Sequence, residues 1–483
     1  MKSIIILLLV LSVIIVINGI TSDVCLGDES HHYRFAKNIF NSGKRVSYDP
    51  AYESGNPPGF YYNTPPLWHF LLAILWKING GVSQGIGQIY HTLFFFFIIL
   101  ITAMIAQDNT GDEYTAFIVA IIIATMPMIV SFSTLFYMDV PLTLFTTLSF
   151  YLILKNHHLV AGISFGLAYL VKLNAFFFLP GFLFIIIWRE RKNIIKLFKI
   201  LFYFVTPIIT VYCYDTWWRK THIVSKMDTM NLDYIVNRIN VILTKSTYQE
   251  YLNASLLNPL DIVKYFGIPF LILLGFFLIH IKKWDKKYNI ILVPVVSYFL
   301  FFYIIFGINS DIRYLIPIVP FLVLMVVPSM LPFKKPFMVC IISACILQFI
   351  ATTWYVHTKR QIPFEINEVF NYIRENVSLD SVILYPEENL LLYTERRVVW
   401  SSAQTYMSDK RYTLNNLFWE SDNTMINNFN INYILIKKSR IYDDKNIRHL
   451  GGYPESFVKR LPRLDGWVRV FENSEVSLWK KVL

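Results

Sequence analysis

Apolar residues in this chain are gathered into long runs separated by short polar breaks, and these runs dominate from residue 3 to residue 354. They fall at 3–20, 85–106, 114–133, 138–154, 158–171, 174–188, 195–214, 262–281, 288–307, 312–330 and 336–354. Stretches of this length rich in Ile, Leu, Phe and Val predict helices that cross a bilayer, each crossing needing about 20 apolar residues. One further run, 65–78 (PPLWHFLLAILWKI), is short for a crossing, opens on Pro-Pro and carries His69 and Lys77. It is read as an interfacial helix. Residues 3–20 follow a single Lys2 and precede no small-residue cleavage site, so they read as a retained first span. From about residue 356 the pattern changes: charges become frequent, and short β-like runs such as 381–385, 433–436 and 467–471 alternate with helix-like stretches. The expected architecture is a polytopic α-helical membrane protein with about 11 transmembrane helices over residues 1–355, carrying outer loops 21–84 and 215–261. A soluble extracytoplasmic α/β domain over 356–483 follows it.

Composition adds exclusions. The 483 residues are 55% hydrophobic and 16% charged, with a mean hydropathy of +0.46, which excludes a secreted enzyme, a nucleic-acid binder and a disordered scaffold. The formal charge of +11 is accounted for by orientation, because basic residues collect in cytoplasmic loops. With 65–78 interfacial, Lys155, Arg189, Arg191, Lys192, Lys196, Lys282, Lys283, Lys286, Lys287, Lys334 and Lys335 all face the cytoplasm, while the short outer turns keep Lys172 and Arg313. Counting 65–78 as a span would reverse that distribution. The N-terminus is therefore expected inside. Cys25, Cys213, Cys340 and Cys345 show no CxxC or metal-ligand spacing, so neither a disulfide framework nor a zinc site is expected.

Ionisable groups at membrane depth are costly, so those at the outer ends of spans are the candidates for chemistry. Just after the first span come Asp28 and Glu29, followed by His31, His32 and the helix-like stretch YRFAKNIFNSG. Asp28 reads either as an N-cap, with Glu29 favoured by the helix dipole, or as a partly desolvated carboxylate tuned as a general base. The two histidines have no recognised ligand spacing and read as solvated or capping groups. Asp139 stands two residues before Pro141 at the start of a span, a normal N-cap arrangement that does not exclude function. Lys172 and Arg313 sit at the mouths of other spans. Snorkelling to lipid head groups explains either one, but a guanidinium fork fixed at a helix start also suits a lipid-borne phosphate.

These residues, in this order, resemble the membrane-embedded glycosyltransferases of the GT-C type, in particular the dolichyl-phosphate-mannose protein mannosyltransferases and the bacterial lipid A aminoarabinose transferases. The shared pattern is the acidic pair Asp28-Glu29 after the first span with its Tyr33–Gly43 helix; the turn Tyr62-Asn63-Thr64-Pro65-Pro66-Leu67; Asp139-Val140-Pro141-Leu142; GLAYLVK at 166–172; and RYLIPIVP at 313–320. The likeness covers roughly 21–330. It implies Asp28 as the base that deprotonates an acceptor hydroxyl, with Glu29 and Asp139 assisting there or holding an optional divalent cation. Arg313 and Lys172 would bind the phosphate of a polyprenyl-phosphate sugar. Many relatives carry Lys just before Pro-Pro, where this chain has Thr64, so a phosphate contact would fall to Lys172, His69 or the Tyr61–Tyr62 pair.

The resemblance implies transfer of one sugar, with inversion, from a polyprenyl-phosphate donor to a protein, lipid or polysaccharide acceptor. No cofactor is required, since the phosphate ester carries the energy. The partners are that donor, its acceptor and membrane lipids, with no nucleic acid. The location is the cell membrane with the active site facing outside, or the ER membrane and lumen in a eukaryote. Three alternatives stay open: a polytopic transporter or flippase, for which no two-halves pattern of broken helices is visible; oligosaccharyltransferase-like transfer of a whole glycan, for which Trp217-Trp218-Arg219 is not the expected WWDYG; and a structural sensor with an outer domain.

Overall fold

The computed structural model describes residues 2–24, 28–46, 48–49, 60–61, 65–222, 259–279, 289–306, 312–326, 335–385, 389–400, 405–407, 410–412, 430–442, 453–463 and 466–482. In chain order the helices that matter here are α1 (Lys2–Ile20), α2 (Glu29–Ser42), α3 (Leu67–Ile78), α4 (Gln84–Thr110), α5 (Glu113–Thr125), α6 (Pro127–Ser133), α7 (Asp139–Leu154), α8 (His158–Val171), α9 (Leu179–Glu190) and α10 (Ile194–His222). Then come α11 (Pro259–Phe266), α12 (Ile268–Ile279), α13 (Asn289–Phe306), α14 (Val319–Val326), α15 (Lys335–Lys359) and α16 (Phe364–Asn376). Two 3-10 segments, Leu173–Phe178 and Ile312–Ile318, lead into α9 and α14. By its contacts the chain forms two compact units: Met1–Ser22 with Asn63–Lys359, and Asp23–Tyr62 with Arg360–Leu483.

The first unit is all helical among its described residues, because its apolar runs satisfy every backbone group within the segment, the condition for crossing hydrocarbon. Among the described residues four helices are long and apolar enough to cross a membrane, and six crossings result if each bent pair counts as one. The other apolar runs form shorter helices, so the count of about eleven rests on the sequence. The expected single span 262–281 is broken: α11 and α12 meet at 104°. Gly267 sits at the corner with φ +79 and a Gln348 side chain against it, a backbone state that costs a side-chain-bearing residue and ends the helix. α5 and α6 meet at 60°, where Pro127 opens the second helix. α3 is 12 residues long, about 18 Å at 1.5 Å per residue, well short of a hydrocarbon core of about 30 Å. It buries Trp68, His69, Leu72, Ala73 and Trp76 and exposes Ile74 and Ile78.

The second unit joins α2 to a C-terminal α/β fold. The strands of its five-stranded sheet are β1 (Val382–Tyr385), β2 (Arg397–Trp400), β3 (Ile431–Lys437), β4 (Trp467–Glu472) and β5 (Val476–Lys481), in the order β4-β5-β3-β1-β2. β1 runs parallel to both β2 and β3, while β5 pairs antiparallel with β3 and β4. All four residues of β1 are buried, as a central strand covered on both faces requires. Ile383 and Tyr385 pack with Ile366, Val369, Phe370 and Ile373 of α16, and Val382 and Leu384 pack with Ile434, Ile436, Tyr453 and Phe457. The second unit takes up the chain again at Arg360. The segment 23–62, expected as a loop of the membrane domain, groups instead with the C-terminal residues, for the ion pairs described below.

Candidate active site

Three of the seven sequence-predicted site residues come together in the helical unit. Asp139 opens α7 in its first turn, where the helix dipole favours a carboxylate and Pro141 forfeits no hydrogen bond. The residue before it, Met138, is the N-cap, so the expected N-cap role of Asp139 is not taken up: its side chain reaches sideways. The carboxylate is 1% exposed, and its Oδ1 accepts a hydrogen bond at 2.6 Å from Nζ of Lys172, itself 15% exposed. Lys172 follows α8 in extended backbone, and its amide still donates to Ala168 at 3.0 Å, which fixes the side chain against α7.

The Ile312–Ile318 segment packs on α7 and supplies the aromatic wall. Nζ of Lys172 lies 4.4 Å from the Tyr314 ring centroid, and the Arg313 guanidinium lies 4.9 Å from the Tyr137 ring and 5.3 Å from that of Tyr314. Tyr314 is held in turn, because the Tyr298 hydroxyl donates to its carbonyl at 2.5 Å. A cation–π contact is worth about 0.5–2 kcal/mol, less than the several kcal/mol needed to bury an ammonium. The Asp139 carboxylate is therefore the main partner of the Lys172 side chain there. Asp139, Lys172 and Arg313 together carry a formal charge of +1. Two buried polar atoms of the same region, Oδ2 of Asp139 and Nδ2 of Asn174, take no hydrogen bond, and such orphans are costly unless a ligand or water meets them. The arrangement places a net positive charge between aromatic walls, which is chemically able to take an anion.

Asp28 and Glu29 lie in the other unit. Asp28 occupies the N-cap position of α2, but its side chain makes no capping hydrogen bond, so the purely capping reading loses its contact. Glu29 is fully buried, and its Oε1 accepts from Nη2 of Arg360 at 2.7 Å, a guanidinium that is also fully buried. Burial, and after it the Glu29 carboxylate, push the Tyr33 phenol well above its ordinary range, so Tyr33 stays neutral. His31 and His32 are buried rather than solvated, with their rings edge-on at 5.5 Å. The helix stops at Gly43, which caps it in the left-handed region with φ 69, as the Ser-Gly pair foretells.

His69 is fully buried in α3, edge-on to the Trp68 ring at 5.0 Å. Tyr62 lies outside the described residues. Trp217-Trp218-Arg219 closes α10, where Arg219 pairs with Asp215 at 2.6 Å and the Tyr169 hydroxyl donates to the same carboxylate at 2.9 Å. Among the described residues no group of three or more His, Cys, Asp or Glu is placed to hold a metal ion. The sequence reading missed Tyr137 and Tyr314, which stand beside residues it did select, and it missed Arg360, whose place at the end of a long apolar run reads as ordinary snorkelling.

The sequence model of the dolichyl-phosphate-mannose-protein mannosyltransferase family matches residues 63–218, the stretch that carries Asp139 and Lys172. A protein of Aquifex aeolicus (strain VF5), described as uncharacterized, is 29% identical over 204 residues, which spans 40% of this chain and 38% of that protein's length. The crystal structure of ArnT from Cupriavidus metallidurans bound to undecaprenyl phosphate superposes with a TM-score of 0.64 at 10% identity, covering 98% of this chain and 97% of that one. The Archaeoglobus fulgidus oligosaccharyltransferase tethered to an acceptor peptide gives 0.61 at 14% identity, covering 90% and 69%. The fold is thus that of the multi-pass membrane glycosyltransferases of the GT-C type. Within it, the chain resembles the protein mannosyltransferase and ArnT group.

Proposed function

We propose that this protein is an integral membrane glycosyltransferase that moves a single sugar from a polyprenyl-phosphate donor to an acceptor hydroxyl. The observation that carries the proposal is the Asp139–Lys172–Arg313 cluster walled by Tyr137 and Tyr314, a partly buried anion site among apolar helices. A phosphate on a lipid tail is the anion that such surroundings fit. ArnT was crystallised with undecaprenyl phosphate, which supports the same class of ligand here. Arg313 would grip the phosphate with its fork, and Lys172, oriented by Asp139, would add charge as the leaving group develops.

In the reaction, the acceptor oxygen attacks the anomeric carbon on the face opposite the phosphate. The bond from that carbon to the phosphate oxygen breaks, polyprenyl phosphate departs with the electron pair, and the acceptor proton passes to the Asp28 carboxylate. Displacement of this kind inverts the anomeric centre. The Asp139 charge is already matched to Lys172, so the base role stays with Asp28, as the family resemblance implies.

Binding tests the proposal directly. Polyprenyl phosphate should raise the thermal midpoint of the purified protein, and polyprenol of the same length should not. Arg313→Lys keeps the charge but loses the fork, and should weaken the phosphate-dependent effect about tenfold, the worth of one charge-assisted hydrogen bond. Equal stabilisation by the phosphate-free lipid would leave the tail as the whole ligand and remove the phosphate site.

A further inference from the structure

The chain on both sides of Asp28 is fastened to residues more than 300 positions away in sequence. On the N-terminal side, Asp23 donates from its amide to the Arg360 carbonyl at 2.8 Å and accepts on its own carbonyl from Nε of Arg360 at 3.1 Å. Its carboxylate accepts from the Ile362 amide at 2.7 Å, and the Val24 amide donates to the Tyr393 hydroxyl at 2.9 Å. On the C-terminal side, Glu29 takes Nη2 of the same Arg360 at 2.7 Å, with both side chains fully buried. Further along α2, Lys37 meets Glu395 at 2.6 Å. One guanidinium thus bridges Asp23 and Glu29, the two residues that bracket Asp28.

A buried ion pair is weak evidence for stability, since its desolvation cost rivals its attraction; its best-attested use is to fix one arrangement against others. Here the arrangement fixed is the start of α2. We propose that Arg360, acting through Glu29 and the Asp23 carbonyl, is a positioning residue that sets the place of the Asp28 carboxylate, so that the C-terminal α/β fold serves the reaction by holding the helix that bears the base. This rests on the proposed function above, and it gives Glu29 a bracing role in place of the acceptor contact that the family resemblance implies.

The test is a kinetic cycle on the full-length protein. Arg360→Lys retains the charge but cannot reach both partners with one planar fork. It should lower kcat by about 10–10²-fold, the scale of a misplaced catalytic group, with the donor KM and thermal midpoint close to wild type. In an Asp28→Asn background the same substitution should have no further effect on kcat, because the group it positions is gone. Lys37→Ala, which cuts an exposed pair in the same unit, serves as control and should change kcat less than twofold. Where Arg360→Lys does not fold, Glu29→Gln with Arg360→Gln replaces the ion pair by a neutral amide contact and is read the same way. Wild-type kcat in the Arg360 variant, or losses that multiply with Asp28→Asn, would overturn the inference while leaving Asp28 as base. A silent Asp28→Asn would overturn both.

Discussion

Asp28→Asn is expected to lower turnover by about 10²–10⁴-fold, the usual worth of a positioned base, with the protein still folded and donor binding intact. Asn preserves the size of the side chain and is as good an N-cap as Asp. The Asp28 side chain makes no capping hydrogen bond to α2, so the change to Asn removes none. A purely capping role would instead make Asp28→Ala cost about 1 kcal/mol of stability with turnover per folded molecule preserved. Thermal midpoint, donor affinity and turnover measured on both variants separate the two outcomes. Near wild-type turnover in Asp28→Asn would remove Asp28 as the base.

Lys172→Ala is expected to fail in folding before it fails in binding. The sequence alone presents Lys172 as a cation at the mouth of a span, whose loss would mainly raise the donor KM. The structure changes that expectation, because removing the ammonium strands an Asp139 carboxylate that is 1% exposed. Breaking one side of a buried pair costs about 3–5 kcal/mol, a large share of the stability of a typical domain. Replacing both partners, Asp139→Asn with Lys172→Met, removes the stranded charge and should recover most of the folded yield while leaving donor binding weakened. A Lys172→Ala protein with a wild-type thermal midpoint would show that water or another cation reaches Asp139.

Much of this was legible in the sequence because hydrophobicity is local. Long apolar runs become helices wherever they occur, and SVILY, YILI and WVRVF become strands of one sheet because each alternates or buries as a strand must. Asp139, Lys172 and Arg313 were selected as ionisable residues at the ends of apolar segments, and the fold does gather them. What escaped were features created by pairing across sequence. Glu29 and Arg360 are 331 positions apart, and neither carries a local mark of its partner. His31 and His32 look solvated beside Asp28 and Glu29, yet both are buried in the folded chain. Gly267 sits inside an apolar run that reads as one span, and only its φ of +79 shows the corner.

Transfer of a sugar away from polyprenyl phosphate is expected of this protein. Its direct measure is incubation of the purified full-length protein with a polyprenyl-phosphate sugar labelled in both halves, together with candidate protein, lipid and polysaccharide acceptors. Acceptor-dependent release of polyprenyl phosphate, with the sugar recovered on an acceptor hydroxyl in inverted configuration and the release lost in Asp28→Asn, is the predicted result. A donor that stays intact with every acceptor, while the protein in sealed vesicles moves it from one leaflet to the other, would contradict the account and make this fold a carrier of the lipid.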